Sequence, residues 1–270
     1  MKVGFVTSTG YPELTPDDRL AADALRDQGL DVEPVIWTDS GDRWRVLDGL
    51  VVRSPWDYHL APDRFLSWID RVQATGLPLW NPPGILRWNL NKGYLRTVEA
   101  WGFPIPPTRW IGRGSATPLV EHLMALGTDE AVIKPVIGAS AQGVIRVTRA
   151  SLADGEAHLR QILGSGDAMV QAFAPEVESA GEWSLVFLGG KFSHAVVKTP
   201  RAGDFRVQHW AGALRQGGRI SQERVLTVME LELLEPLLFL AADPGAPARF
   251  AEAIRQVLVG PGPSGYTLAP

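Results

Sequence analysis

Cysteine is absent from the 270 residues, which removes disulfides, thiolate metal sites and thiol nucleophiles together. Any metal must therefore be held by carboxylate, amide or imidazole groups, a donor set that favours a hard ion such as magnesium. Lysine is scarce as well. Lys2, Lys92, Lys134, Lys191 and Lys198 are the only five, and the other basic residues are arginine, so each lysine stands out. No apolar run approaches the roughly 20 residues a spanning helix needs. The chain opens on the strand-like Lys2–Ser8 without the charged start of a signal peptide, which sets the expectation of a cytoplasmic protein with no membrane partner. Ser8-Thr9-Gly10-Tyr11-Pro12 does not supply the G-x-G-x-x-G of a dinucleotide oxidoreductase, and neither a Walker A lysine nor a G-x-S-x-G elbow occurs. A net charge of -4 gives no basic footprint for nucleic acid. His59, His122, His158, His194 and His209 show no metal-ligand spacing.

What is present reads as α/β lobes. Thr15-Pro16-Asp17-Asp18 offers an N-cap, a proline at the first helical position and acidic first-turn residues, and Gly29 closes that helix. Strands at 32–37, 50–52 and 77–80 with a helix at 62–75 complete a βαβ lobe over residues 1–90. Asn81-Pro82-Pro83-Gly84 reads as a turn, followed by a helix over 91–101. A central lobe over 91–175 has strands at 131–134, 144–148 and 168–172 and a helix near 152–163. A C-terminal lobe over 176–260 begins with strands 182–188 and 191–198, joined by the hairpin dipeptide Gly189-Gly190. Residues 261–270 read as a tail. The sequence is compatible with a homo-oligomer.

Four segments carry chemistry. Lys134 ends a buried strand before the small-residue loop Gly138-Ala139-Ser140-Ala141-Gln142-Gly143, where backbone N–H groups and a lysine suit phosphates; a lysine snorkelling beside an ordinary loop reads equally well. Gln171-Ala172-Phe173 and Pro175-Glu176 end a strand as a hinge for an adenine, or simply as a strand end with Phe173 in the core. Lys198 and Arg206, around Gly203-Asp204-Phe205, face a phosphate or carboxylate, or form a solvated cluster with Asp204. In Met229-Glu230-Leu231-Glu232-Leu233, a strand reading puts Glu230 and Glu232 on one face, where like charges become favourable once a divalent cation bridges them. An exposed sheet face is the alternative.

Taken in order, these segments resemble the ATP-grasp superfamily, most of all its prokaryotic glutathione-synthetase-like branch and the related ligase of cycloserine biosynthesis, over Lys2 to about Leu240. The resemblance implies an ATP-grasp fold with an N-terminal βαβ lobe, a central lid lobe and a C-terminal sheet lobe. It implies Lys92 and Lys134 as nucleotide lysines, with Gly138, Ser140 and Gly143 as the phosphate loop. Gln171, Ala172, Phe173 and Glu176 become the adenine hinge, and Lys198 and Arg206 the catalytic cations. Glu230, Glu232 and Glu235 become metal ligands, in a motif that is usually Glu-x-Asn. Arg53, Trp56 and Asp57 form a substrate wall, or for Arg53 and Asp57 a salt-bridged strand end. The implied cofactors are ATP and magnesium, and the implied partners are small-molecule carboxylate and amine substrates.

One departure concerns 213–227. The family usually carries there a helix and a strand with a further metal-binding aspartate, and those elements need about 25 residues. No aspartate lies between Phe205 and Glu235. A shortened C-terminal lobe is therefore expected. The resemblance implies an ATP-dependent C–N ligase, intermolecular or ring-closing, with a degenerate nucleotide-binding or assembly protein as the alternative.

Overall fold

The computed structural model describes residues 1–201, 206–207, 214–218 and 226–259. Its elements in chain order are β1 (Lys2–Thr7), α1 (Pro16–Arg26), β2 (Asp31–Ile36), β3 (Gly49–Ser54), α2 (Pro62–Ala74), β4 (Leu79–Trp80), α3 (Pro83–Leu90), α4 (Leu95–Ala100), β5 (Thr108–Ile111), α5 (Leu119–Leu126), β6 (Glu130–Pro135), β7 (Ile145–Thr148), α6 (Leu152–Ser165), β8 (Ala168–Ala172), α7 (Glu176–Ala180), β9 (Glu182–Leu188), β10 (Lys191–Thr199), β11 (Leu214–Gly218) and α8 (Ala246–Val259).

The N-terminal sheet is parallel, in the order β2-β1-β3-β4. Its central strands are buried almost along their whole length because both faces are covered. Val6, Leu50 and Val52 pack with Phe65, Trp68 and Ile69 of α2 and Leu86 of α3. Val3, Phe5 and Val51 pack instead with Ala21, Ala22 and Leu25 of α1 and with Phe250 and Ala251 of α8. Alternate residues of one strand thus bind the lobe to two different layers. Gly4 is required by crowding, since a Cβ there would lie 2.5 Å from Leu50 Cδ2.

The central sheet is antiparallel, in the order β5-β8-β6-β7, with α5 and α6 against one face through Leu119, Leu123, Leu159 and Leu163. The third sheet, β11-β10-β9, is antiparallel and contains the expected hairpin. Gly189 and Gly190 both take positive φ there, 57° and 77°, as a tight hairpin turn demands. β11 lies within the segment expected to be short. Residues 219–225 lie outside the described residues, as do Gly203, Asp204, Phe205 and Gln208 of the arginine segment and the tail from 260.

Three sequence expectations change. Pro82-Pro83 reads as a turn in the sequence, yet Pro83 opens α3 at its first position, where a missing N–H costs nothing. The single helix expected over 91–101 is a 3-10 turn, Lys92–Tyr94, followed by the short α4. The strand expected through Glu230 and Glu232 is irregular backbone: side chains, not a neighbouring strand, bind its polar groups. α5 and α8 have no counterpart among the elements read from the sequence.

Candidate active site

The irregular stretch 228–236 crosses a cleft between α3, the loop after β6 and the segment 56–58 ahead of α2. Val228 N donates to Pro104 O at 2.8 Å. Asn89 of α3 donates to Leu231 O at 2.6 Å and accepts from Leu233 N and Leu234 N at 2.8 and 3.0 Å. Tyr94 Oη accepts from Leu231 N at 2.9 Å, and Asn81 donates to Leu233 O. Farther along, Asp17 at the start of α1 accepts from Leu238 N and Leu240 N at 3.0 and 2.6 Å.

Lys92 lies opposite. Its Nζ donates to Gly138 O at 3.0 Å and ion-pairs with Glu230, while its own N–H donates to Val136 O at 2.8 Å. One lysine therefore joins the small-residue loop to the acidic stretch. In that loop Ser140, Ala141 and Gly143 take φ of 53°, 54° and 71°, a run of left-handed residues that turns the chain tightly. His158 Nε2 meets Gly143 O at 2.8 Å, and Gln142 reaches His59 in the 3-10 turn Tyr58–Leu60 that precedes α2.

Lys134, at the end of β6, donates to Gln171 Oε1 at 3.1 Å. Gln171 is buried and is fixed in turn by donating to Thr108 Oγ1 at 3.0 Å. Ala172 N and Phe173 N donate to Pro107 O and Glu130 O at 2.9 and 3.1 Å. The Arg146 guanidinium lies 3.8 Å from the Phe173 ring centroid and bridges Glu130 and Glu178, and Glu176 opens α7.

The charges in the cleft perturb one another. Burial raises the Glu230 carboxyl, but Lys92 and Lys134 outweigh it and hold the group below its ordinary range. Glu232 is pushed up to about 7, first by the protein packed around it and then by the Glu230 carboxylate. Glu235 is raised well above the usual range by burial and by Glu232, and Tyr58 hydrogen-bonds its carboxyl. Burial lowers the Lys134 ammonium, and Lys92 adds to that. Lys92 itself is raised, because Glu230 outweighs its burial. Glu230 nevertheless keeps 39% of its side chain exposed.

The predicted site residues thus divide. Lys92, Lys134, Gly138, Gln171, Glu230, Glu232 and Glu235 come together. Lys198 pairs across the hairpin with Glu182, and its charge is felt at Glu230 and Glu232. Trp56 Nε1 donates to Glu235 O at 3.1 Å, so that wall residue touches the acidic stretch. Arg53 is buried against Asp18 and donates to Pro236 O at 3.4 Å. Asp57 accepts from Trp37 Nε1 and Thr9 Oγ1 at 2.6 and 3.2 Å. Arg206 is half-buried beside buried Val207. Tyr58, Asn89 and Tyr94 received no role from sequence. Asn89 and Tyr94 flank the Asn91-Lys92 pair, and a polar residue inside the apolar Trp88-Asn89-Leu90 was the available signal.

Among the described residues no group of three or more acids or histidines could hold a metal ion. Magnesium needs less, because it is commonly bound by one or two carboxylates with substrate phosphates and water. The donor chemistry fits: Glu230 and Glu232 offer hard oxygen donors in one cleft, and Glu232 is raised first by burial and then by the Glu230 carboxylate, a repulsion that a cation would relieve.

Residues 3–81 match the family model of the D-cycloserine synthetase DcsG N-terminal domain, and residues 115–238 match that of the prokaryotic glutathione synthetase ATP-grasp domain. With the three sheets, these matches give the chain the ATP-grasp fold, with an ATP-grasp domain match over residues 115–238. The chain is 31% identical over 180 residues to the cycloserine biosynthesis protein DcsG of Streptomyces lavendulae, covering 65% of this chain and 60% of the relative. It is 31% identical over 157 residues to the glutathione synthetase of Prochlorococcus marinus strain MIT 9313, covering 56% and 45%. These matches thus span about half to three-fifths of the relatives' lengths. The crystal structure of D-cycloserine synthetase DcsG superposes with a TM-score of 0.87 at 25% identity, over 96% of this chain and all of that one.

Proposed function

We propose that the chain is an ATP- and magnesium-dependent ligase that activates a small carboxylate, or an equivalent acyl oxygen, for attack by an amine. The observation that carries this reading is Lys92, which touches both the glycine loop at Gly138 O and the carboxylate of Glu230. A cation shared between a phosphate-covering loop and a metal ligand belongs where a triphosphate meets magnesium. Relatives named for cycloserine and glutathione point to amino-acid-derived substrates.

In this reading Lys134 and Lys92 neutralise phosphate charge, while Gln171 holds Lys134 in place. Lys198 and Arg206 stabilise the phosphoryl and acyl end. Glu230 and Glu232 would hold magnesium, which supplies charge neutralisation between the phosphates. The substrate carboxylate oxygen attacks the γ-phosphorus and the bond to ADP breaks. The amine nitrogen then attacks the acyl carbon, and phosphate leaves with the C–O electron pair as the nitrogen loses a proton. Positioning and electrostatic stabilisation account for such a reaction, so no nucleophilic side chain is needed.

The test is magnesium-dependent ADP release across a panel of D- and L-amino acids, dipeptides and small amines, with products weighed by mass spectrometry. Release that requires both a carboxylate and an amine supports intermolecular ligation. A single substrate that turns over with loss of one water supports ring closure. Absence of turnover across the panel, with nucleotide binding retained, favours the non-catalytic alternative.

A further inference from the structure

The acid-bearing backbone is irregular, yet one side chain binds it as a neighbouring strand would. Asn89, 7% exposed, uses its amide N–H on Leu231 O and its amide oxygen on the N–H groups of Leu233 and Leu234. Glu232 lies between two residues held this way, which limits the directions its side chain can take. Tyr94 Oη accepts from Leu231 N immediately after Glu230. Between Asn89 and Tyr94, Lys92 binds Val136 O through its backbone and Gly138 O through its ammonium. The stretch 89–94 therefore grips the carboxylates on one side and the glycine loop on the other.

We infer that Asn89 is a positioning residue, one that sets the Glu230 and Glu232 carboxylates in register with the Gly138 loop before any ligand arrives. The inference rests on the reading of those two glutamates as the cation-holding pair. Carboxylates on backbone without ladder partners drift unless their neighbours are fixed. An amide suits this task because it matches one carbonyl and two N–H groups at once. Groups that orient metal ligands from behind typically contribute 10- to 100-fold in metal affinity.

The probe is Mn2+, titrated by electron paramagnetic resonance into the full chain saturated with ADP, whose phosphates complete the coordination that two carboxylates begin, at a temperature where each variant is folded, with Mn2+ and ADP alone as the blank. Binding in the unmutated protein that is lost in Glu232→Gln establishes the site. Asn89→Ala is expected to weaken Mn2+ by about tenfold or more, and Tyr94→Phe, which keeps the ring, by severalfold. Leu86→Ala on the same helix removes a fully buried side chain; it is expected to lower the melting temperature and leave Mn2+ affinity unchanged. Equal Mn2+ affinity in Asn89→Ala and the unmutated protein overturns the positioning role alone. So does an equal loss in Leu86→Ala, which marks a global effect. If Asn89→Ala fails to fold, Tyr94→Phe decides by the same comparison. No Glu232-dependent binding in the folded, unmutated protein overturns the cation-site reading and this inference together.

Discussion

Arg53 Nε donates to Asp18 Oδ1 at 2.8 Å, with side chains only 4% and 2% exposed. Ser54 and Thr15 supply the remaining hydrogen bonds to that carboxylate, at 2.8 and 2.9 Å. Through its contact with Pro236 O, Arg53 also supports the backbone just after Glu235. Breaking a buried pair from one side leaves a charge without its partner. Arg53→Ala is therefore expected to cost about 3–5 kcal/mol of stability, measured by urea unfolding. A loss below about 1 kcal/mol would contradict a structural role.

Asp17 does for the backbone at Leu238 and Leu240 what Asp18 does for Arg53. In Asp17→Ala both N–H groups lose their acceptor, at about 1–3 kcal/mol for each buried group left unpaired. The same unfolding measurement checks this, and an unchanged midpoint would contradict it.

Glu232 provides a pH test with a defined sign. Its carboxyl is raised from 4.5 to about 7 in the folded chain. Between those values the folded state holds the proton more tightly than the unfolded state, so stability from this group is present at low pH and is lost as pH rises through 7. Relative to Glu232→Gln, the metal-free unmutated protein should lose melting temperature as pH rises over that window. Proton and cation compete for the same oxygens, so Mn2+ affinity should climb over the same range. A pH-independent difference between the two proteins would remove the basis for a crowded carboxylate pair.

Gln171 holds Lys134 through one hydrogen bond and is itself held by Thr108. Gln171→Leu keeps the bulk and removes the acceptor. ATP affinity is expected to fall about tenfold, which equals ~1.4 kcal/mol, in calorimetric titrations. Retained affinity would show that Lys134 needs no such support.

Much of this was legible in the chain. Period-two and continuous apolar runs marked the strands that place Lys134 and Gln171, and Gly189-Gly190 marked the hairpin that places Lys198. The pattern singles out the glutamates at 230 and 232 but does not report their conformation. Their alternation with Leu231 and Leu233 looks like a strand, whereas the partners that hold the segment are Asn89 and Tyr94, more than 130 positions away. Local pattern cannot report such contacts. Asp17 and Asp18 looked like ordinary first-turn acids for the same reason: their partners, Leu240 and Arg53, lie far along the sequence. Pro83 hid α3 because a proline reads alike in a turn and at a helix start.

The most direct test is ATP binding by calorimetry, with and without magnesium, on the unmutated protein and on Lys134→Ala and Glu230→Ala. The account predicts magnesium-dependent binding that both substitutions abolish. A folded, unmutated protein that binds no ATP, or whose binding ignores magnesium and both substitutions, would contradict it.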